Sequence, residues 1–128
     1  MQEEPNFLTI DEVLLLHENS LMEHGGADGI RDWGGFESAV NQPQNDYWYG
    51  RADLFGIAAA YAFHIGEAQA FVDGNKRTAM TAAMAFLELN GVETSENTFL
   101  LYEAMIAIAK HEMDKAGLAL LLRELFAA

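Results

Sequence analysis

The side chains best suited to chemistry in this sequence are those of Asp73, Gly74, Asn75, Lys76 and Arg77. They lie at the predicted start of a helix, where unpaired backbone N–H groups and a partial positive charge form a site for anions. Gly74 allows close approach to the backbone, while Lys76 and Arg77 oppose the helix dipole unless an anion binds beside them. Asp73 suits a Mg²⁺ ion that bridges to phosphate oxygens, and Asn75 can cap the helix or hydrogen-bond a phosphate. The stretch therefore predicts a site for a metal-bound phosphate.

The same residues have a structural interpretation that needs no ligand. The run from Asp73 to Asn75 is ordinary turn and N-cap chemistry, and a Lys-Arg pair is commonly part of a solvated face. Residue types and spacing alone favour this second interpretation, because short motifs often match by chance.

The composition limits the classes of partner. The chain has 128 residues, with 20 Asp and Glu against 7 Lys and Arg, and a formal net charge of −13. Such a surface repels phosphate backbones and anionic lipid, so we expect no binding to nucleic acid or to membranes.

The absence of cysteine excludes disulfides, thiol catalysis and thiolate metal sites. Because Met1–Pro5 has no basic segment followed by an apolar run, no signal peptide is expected and we predict a cytoplasmic protein.

The elements that must position the candidate site are predicted to be helical almost throughout. Thr9 and Glu12 have the spacing of a capping box, and Asp53 and Asp114 are good N-caps. The connection from Asn41 to Gly50 is expected to be irregular. The predicted helices run from Thr9 to the Gly25–Gly26 pair, from Phe36 to Val40, from Leu54 to about Gln69, from Asn75 to Leu89, from Ser95 or Asn97 to about His111, and from Asp114 to Leu125. The sequence therefore predicts an all-α fold, with one domain over residues 1–128 built from about six helices.

The segment Phe71–Thr78 resembles the Fic motif in its death-on-curing (Doc) form, in which His-x-Phe-x-Asp-(Gly/Ala)-Asn-Lys-Arg lies between two helices. The resemblance extends over most of the chain. The other matching segments are Gly25–Gly26, Gly29–Gly34, Glu37–Ala39, Asp53–Phe55, Lys76–Ala79 and Phe86–Val92.

Membership of the Fic/Doc family would imply an all-helical fold that binds a nucleoside triphosphate, such as ATP, with Mg²⁺. Typical members transfer a nucleotidyl group to a protein hydroxyl. Doc-like members carry Lys where the others have a second Gly in the motif, and they resemble kinases that phosphorylate a translation elongation factor. They act as toxins that a small antitoxin protein holds in check. Lys76 places this chain on the Doc side.

The resemblance also implies a role for each motif residue. Asp73 would hold the metal, and Gly74 and Asn75 with the surrounding backbone would bind phosphate. Lys76 and Arg77 would bind the nucleotide and stabilise the charge on the phosphoryl group during catalysis. Phe71 would be the apolar anchor of the loop.

The sequence departs from the family at the first motif position, where Gln69 replaces the histidine. That histidine is the general base in the family, and a carboxamide cannot accept a proton near neutral pH. Losing a positioned base costs roughly 10²–10⁴-fold in rate. Three interpretations stay open: a weakened transferase with Gln69 at the catalytic position, a degenerate module that acts by binding a partner, and slow phosphate-ester hydrolysis in which Gln69 places a water.

The chain has four histidines, and none of them is expected to replace the missing base. His64 lies five residues before Gln69, which is about 500° along a helix, so it points in another direction and is expected to pack against a neighbouring helix. The remaining three, His17, His24 and His111, have no motif support and are expected in solvated or helix-terminal positions.

Overall fold

The computed structural model describes residues 4–94 and 98–127, and over those ranges the chain forms six α-helices with no strand beyond an isolated β-bridge. The helices are α1 (Ile10–His24), α2 (Trp33–Gly50), α3 (Leu54–Ala68), α4 (Asn75–Leu89), α5 (Phe99–Ala109) and α6 (Lys115–Phe126). The predicted all-α fold is confirmed. None of these helices is both long and apolar enough to cross a membrane.

Helix α3 is the centre of the bundle and packs against α2, α4, α5 and α6. Every residue from Ile57 to Ala62 is fully buried, and four of these are alanines whose small side chains let neighbouring helices approach closely. Near the end of α3, a Cβ atom on Gly66 would lie only 2.8 Å from Cε of Met105 in α5. The carboxyl end of α3 is therefore held close to α5, and the chain then enters the motif loop before α4.

Helix α2 corrects the prediction of a short helix at Phe36–Val40 followed by an irregular connection, because the helix continues without a break to Gly50. Its buried residues are Phe36, Ala39, Val40 and Pro43, which follow the spacing of one helical face. Pro43 lacks a backbone N–H and is normally a helix breaker. In α2 it lies inside the helix and is buried on the apolar face.

The predicted N-caps at Thr9, Asp53 and Asp114 agree with the structure, whereas Asn75 does not cap α4, because the N-cap there is Gly74 and the Asn75 side chain bonds to Phe71. Thr9 and Glu12 form both hydrogen bonds of the capping box, and the carboxylates of Asp53 and Asp114 accept from the N–H groups of Gly56 and Gly117. The candidate caps of the fifth helix, Ser95 and Asn97, lie outside the described residues, and the structure places the N-cap of α5 at Thr98.

Candidate functional site

The motif loop, residues 69–74, joins α3 to α4 and is closed by two hydrogen bonds between Asn75 and Phe71. The backbone N–H of Phe71 donates to Oδ1 of Asn75 at 3.0 Å, and Nδ2 of Asn75 donates to the Phe71 carbonyl at 3.0 Å. The Phe71 ring is fully buried, as expected of an apolar anchor. Because these bonds use the Asn75 amide to close the loop, Asn75 is available to an anion mainly through its backbone N–H.

The segment between α1 and α2 forms a short antiparallel bridge with the motif loop. The N–H of Arg31 donates to the Ala70 carbonyl at 2.8 Å, and the N–H of Val72 donates to the Gly29 carbonyl at 3.0 Å. The Arg31 side chain adds a hydrogen bond from Nε to the Gln69 carbonyl at 3.2 Å. The motif loop is therefore held on one edge by backbone pairing.

Helix α1 supports the other side of the loop through His17, which was expected in a solvated or terminal position. His17 is 3% exposed, and its Nε2 donates to the Asp73 carbonyl at 2.8 Å. Its ring stacks on Phe71 with a centroid distance of 3.7 Å and an interplanar angle of 9°. The expectation for His17 was wrong, although its position one turn after buried Val13 on α1 is the signal that would have placed it inward.

The amino end of α4 differs from four of the other helices in having no side-chain cap. The N-cap residue is Gly74, with φ of +83°, a conformation that favours glycine because a Cβ atom would be strained. A Cβ there would also lie 3.4 Å from Cδ2 of His17. The first-turn N–H groups of α4 therefore meet no capping oxygen, and they remain available to an anion.

Lys76 and Arg77 are both exposed on the first turn of α4, and neither forms an ion pair with a described residue. They face different parts of the surface. Lys76 lines a cavity of about 170 Å³ together with Gln69 and Asn75, whereas Arg77 lines a separate depression of about 320 Å³ between α1 and α4. The structure therefore brings Gln69, Asn75 and Lys76 together and places Arg77 on the neighbouring face of the same helix turn.

Asp73 is oriented by the segment before α2. Its Oδ2 accepts from the N–H of Ala27 at 2.7 Å, which leaves Oδ1 without a hydrogen bond to any described residue. No cluster of three or more metal-ligating side chains occurs among the described residues. A lone carboxylate fits Mg²⁺ that arrives with phosphate, since Mg²⁺ keeps several waters and commonly uses one or two carboxylates with substrate oxygens.

His64 and His111 lie outside the motif, and the structure places them in different surroundings. His64 is half-buried between helices, and Lys115 Nζ lies 3.2 Å from its Nε2, so it packs in the bundle as expected. His111, by contrast, lines the same cavity as Gln69 and Lys76, which its sequence position did not indicate. The end of α5 is far from the motif loop in sequence, and helix packing brings the two together.

Comparisons with known proteins agree with this geometry. The sequence profile of the Fic/DOC family matches residues 7–87, a range that includes the motif loop and most of α4. The chain is 31% identical over 117 residues to "Protein kinase doc" of Escherichia phage P1, covering 91% of this chain and 92% of that protein. It is 42% identical over 73 residues to "Toxin Doc" of Mycolicibacterium smegmatis, covering 54% and 55% of the two chains. The profile and the first of these relatives extend over more than half of the chain, and the chain belongs to the Fic/DOC family.

Proposed function

We propose that this protein is a Doc-like toxin of a toxin–antitoxin pair, which transfers a phosphoryl group from a nucleoside triphosphate with Mg²⁺ to a protein hydroxyl. The acceptor class is a translation elongation factor in the cytoplasm, and a small antitoxin protein is the partner that restrains the toxin. The proposal is supported by the relatives, of which one bears the name of a protein kinase and the other that of a toxin.

The observation that carries the proposal is the uncapped amino end of α4. Four helices of the described chain begin with a side chain that accepts from the first turn, whereas α4 begins at left-handed Gly74 and has no such cap. The cationic side chains of Lys76 and Arg77 stand on that same turn. Backbone donors, helix dipole and two cations together favour a bound phosphate.

The motif residues then have distinct roles around the nucleotide. Asp73 would hold Mg²⁺ through Oδ1, since Oδ2 is engaged by Ala27. Mg²⁺ would neutralise charge on the phosphate oxygens. The backbone N–H groups that follow Gly74 would bind phosphate. Lys76, in the cavity beside Gln69, would stabilise the charge that develops on the transferred group, and Arg77 would do so from the adjacent face.

A second candidate function is a degenerate module that binds the nucleotide or a partner without transfer. Gln69 favours it, because this residue lies exposed at the end of α3 with φ of +44° and has no group that accepts a proton near neutral pH. A third, slower activity is hydrolysis of a phosphate ester, with the Gln69 carboxamide placing a water, as glutamine does in some GTPases.

Transfer of label from ATP to purified elongation factors separates these functions. With [γ-³²P]ATP and Mg²⁺ we expect a labelled factor, whereas label from [α-³²P]ATP would indicate nucleotidyl transfer instead. Lys76→Ala should lower the rate by roughly 10²-fold or more, since it removes a charge that stabilises the transition state. Arg51→Ala is the control, because it removes the same charge from an exposed residue at the end of α2.

Each outcome of this assay selects one function. Transfer that Lys76→Ala leaves unchanged would contradict the assigned role of the α4 amino end. An unlabelled factor, combined with a rise in melting temperature on adding Mg-ATP, would favour the binding module. Release of free phosphate without a labelled factor would favour hydrolysis.

A further inference from the structure

Three helix ends meet around the cavity of about 170 Å³ that contains Gln69. Gln69 is the C-cap of α3, Lys76 lies on the first turn of α4, and His111 lies two residues beyond the end of α5. Of the three non-glycine residues with a left-handed backbone in the described chain, two are Gln69 and His111. Conformations of this kind are unfavourable for residues with a Cβ atom, and their concentration at one cavity is typical of a functional site.

His111 has the chemistry that Gln69 lacks. Its Nδ1 lies 3.9 Å from Oε1 of Glu67, and its side chain is 82% exposed. Because His111 lines the cavity and its side chain is this exposed, the hydroxyl of a protein acceptor can reach the imidazole. The carboxylate of Glu67 on α3 lies close enough to stabilise a positive charge on the ring, although 3.9 Å is too long for a hydrogen bond.

We propose that His111 is the general base of this chain's transfer reaction, paired with Glu67, in place of the histidine that the motif lacks. The inference rests on the proposed phosphoryl-transfer function. The titratable groups that line the cavity are Glu67 on α3, Lys76 on α4 and His111 after α5. Lys76 is the cation suited to the phosphoryl oxygens, and Glu67 faces the imidazole, so His111 is the group placed to accept a proton.

The proposed step conserves atoms and charge. The oxygen of the acceptor hydroxyl forms a bond to the γ-phosphorus of the nucleoside triphosphate, and the hydroxyl proton moves to Nε2 of His111. The bond between the γ-phosphorus and the oxygen that bridges it to the β-phosphorus breaks, and the electron pair leaves with the nucleoside diphosphate. The imidazolium, stabilised by Glu67, then returns its proton to solvent.

His111→Asn tests the proposal, because asparagine tolerates the left-handed backbone but accepts no proton near neutral pH. The readout is the rate of ³²P transfer from [γ-³²P]ATP to a purified elongation factor, with the Mg-ATP melting shift measured in parallel. We expect a loss of roughly 10²-fold or more in rate with an unchanged melting shift. The matched control is Arg51→Asn, which changes the third non-glycine residue with a left-handed backbone, exposed at the end of α2 and away from the cavity.

A second variant separates lost chemistry from lost structure. Adding Gln69→His to His111→Asn supplies an imidazole at the motif position, and we expect it to restore transfer to at least a tenth of the wild-type rate. Transfer by His111→Asn at the wild-type rate would overturn the assignment of His111 while leaving the transferase function intact. A wild-type protein that transfers no label would overturn both proposals.

Discussion

Replacing His17 with phenylalanine isolates the hydrogen bond by which α1 holds the motif loop. A phenylalanine ring can keep the stacking on Phe71, but it has no N–H for the Asp73 carbonyl. Leaving a buried acceptor unpaired costs about 1–3 kcal/mol, and the lower end applies because this bond is only partly buried. We therefore expect the free energy of unfolding to fall by about 1 kcal/mol, which lowers the melting temperature of a chain of this length by about 4 °C.

Urea denaturation followed by circular dichroism measures this change directly. His17→Ala, which also loses the ring and leaves a cavity, should cost about 3–4 kcal/mol. His24→Phe is the control on the same helix, and its effect should stay within about 0.5 kcal/mol because His24 is exposed. The Mg-ATP melting shift should also shrink in His17→Phe, since the carbonyl it releases belongs to Asp73. A His17→Phe protein as stable as wild type would show that the hydrogen bond does not hold the loop.

Two further predictions concern His64 and Gln69. Burial lowers the pKa of the His64 imidazole and the Lys115 ammonium lowers it further, against an opposing effect of Asp46. At pH values just below the ordinary histidine pKa of 6.5, the unfolded chain therefore binds more protons than the folded chain. The free energy of unfolding should fall as the pH drops through that region. Urea denaturation of His64→Gln should show a weaker fall. Gln69→His in the wild-type background should raise the rate of ³²P transfer from [γ-³²P]ATP, because it adds a second base at the motif position. An unchanged rate, together with no recovery of transfer in the His111→Asn background, would mean that position 69 does not face the acceptor hydroxyl.

The parts of the fold that could be predicted are those in which local chemistry sets the boundary. The capping box at Thr9 and the carboxylate caps at Asp53 and Asp114 gave correct helix starts, because a cap is a contact between residues three positions apart. Helix α2 was predicted too short, as Phe36–Val40, because the run from Asn41 to Gly50 is polar and aromatic and ends in glycine. The opposing signal was the apolar spacing from Phe36 through Pro43, which depends on burial against α3.

The candidate site likewise contains residues that the sequence could predict and residues that only tertiary packing brings there. The motif residues are contiguous, so the sequence placed Asp73, Lys76 and Arg77 together at a helix start without any knowledge of packing. His17 and His111 reach the same region from α1 and from the end of α5, across 56 and 42 residues from Asp73 and Gln69. Contacts between residues so far apart in sequence follow from tertiary packing alone. Neither histidine could have been assigned to the site from spacing.

The distribution of positive charge supplies an independent reason to expect an anion at the start of α4. Five of the seven cationic residues sit where folding itself benefits from them, either in contact with an oxygen or at the carboxyl end of a helix, where the dipole favours a cation. They are Arg31 on the Gln69 carbonyl, Lys115 on Asp46, Arg123 on Asp53, and Arg51 and Lys110 at the ends of α2 and α5. Lys76 and Arg77 are the exceptions, since they lie at an amino end, where the dipole opposes them. A bound phosphate reverses the sign of that interaction, so the placement is unfavourable for folding alone and favourable for a protein that binds nucleotide.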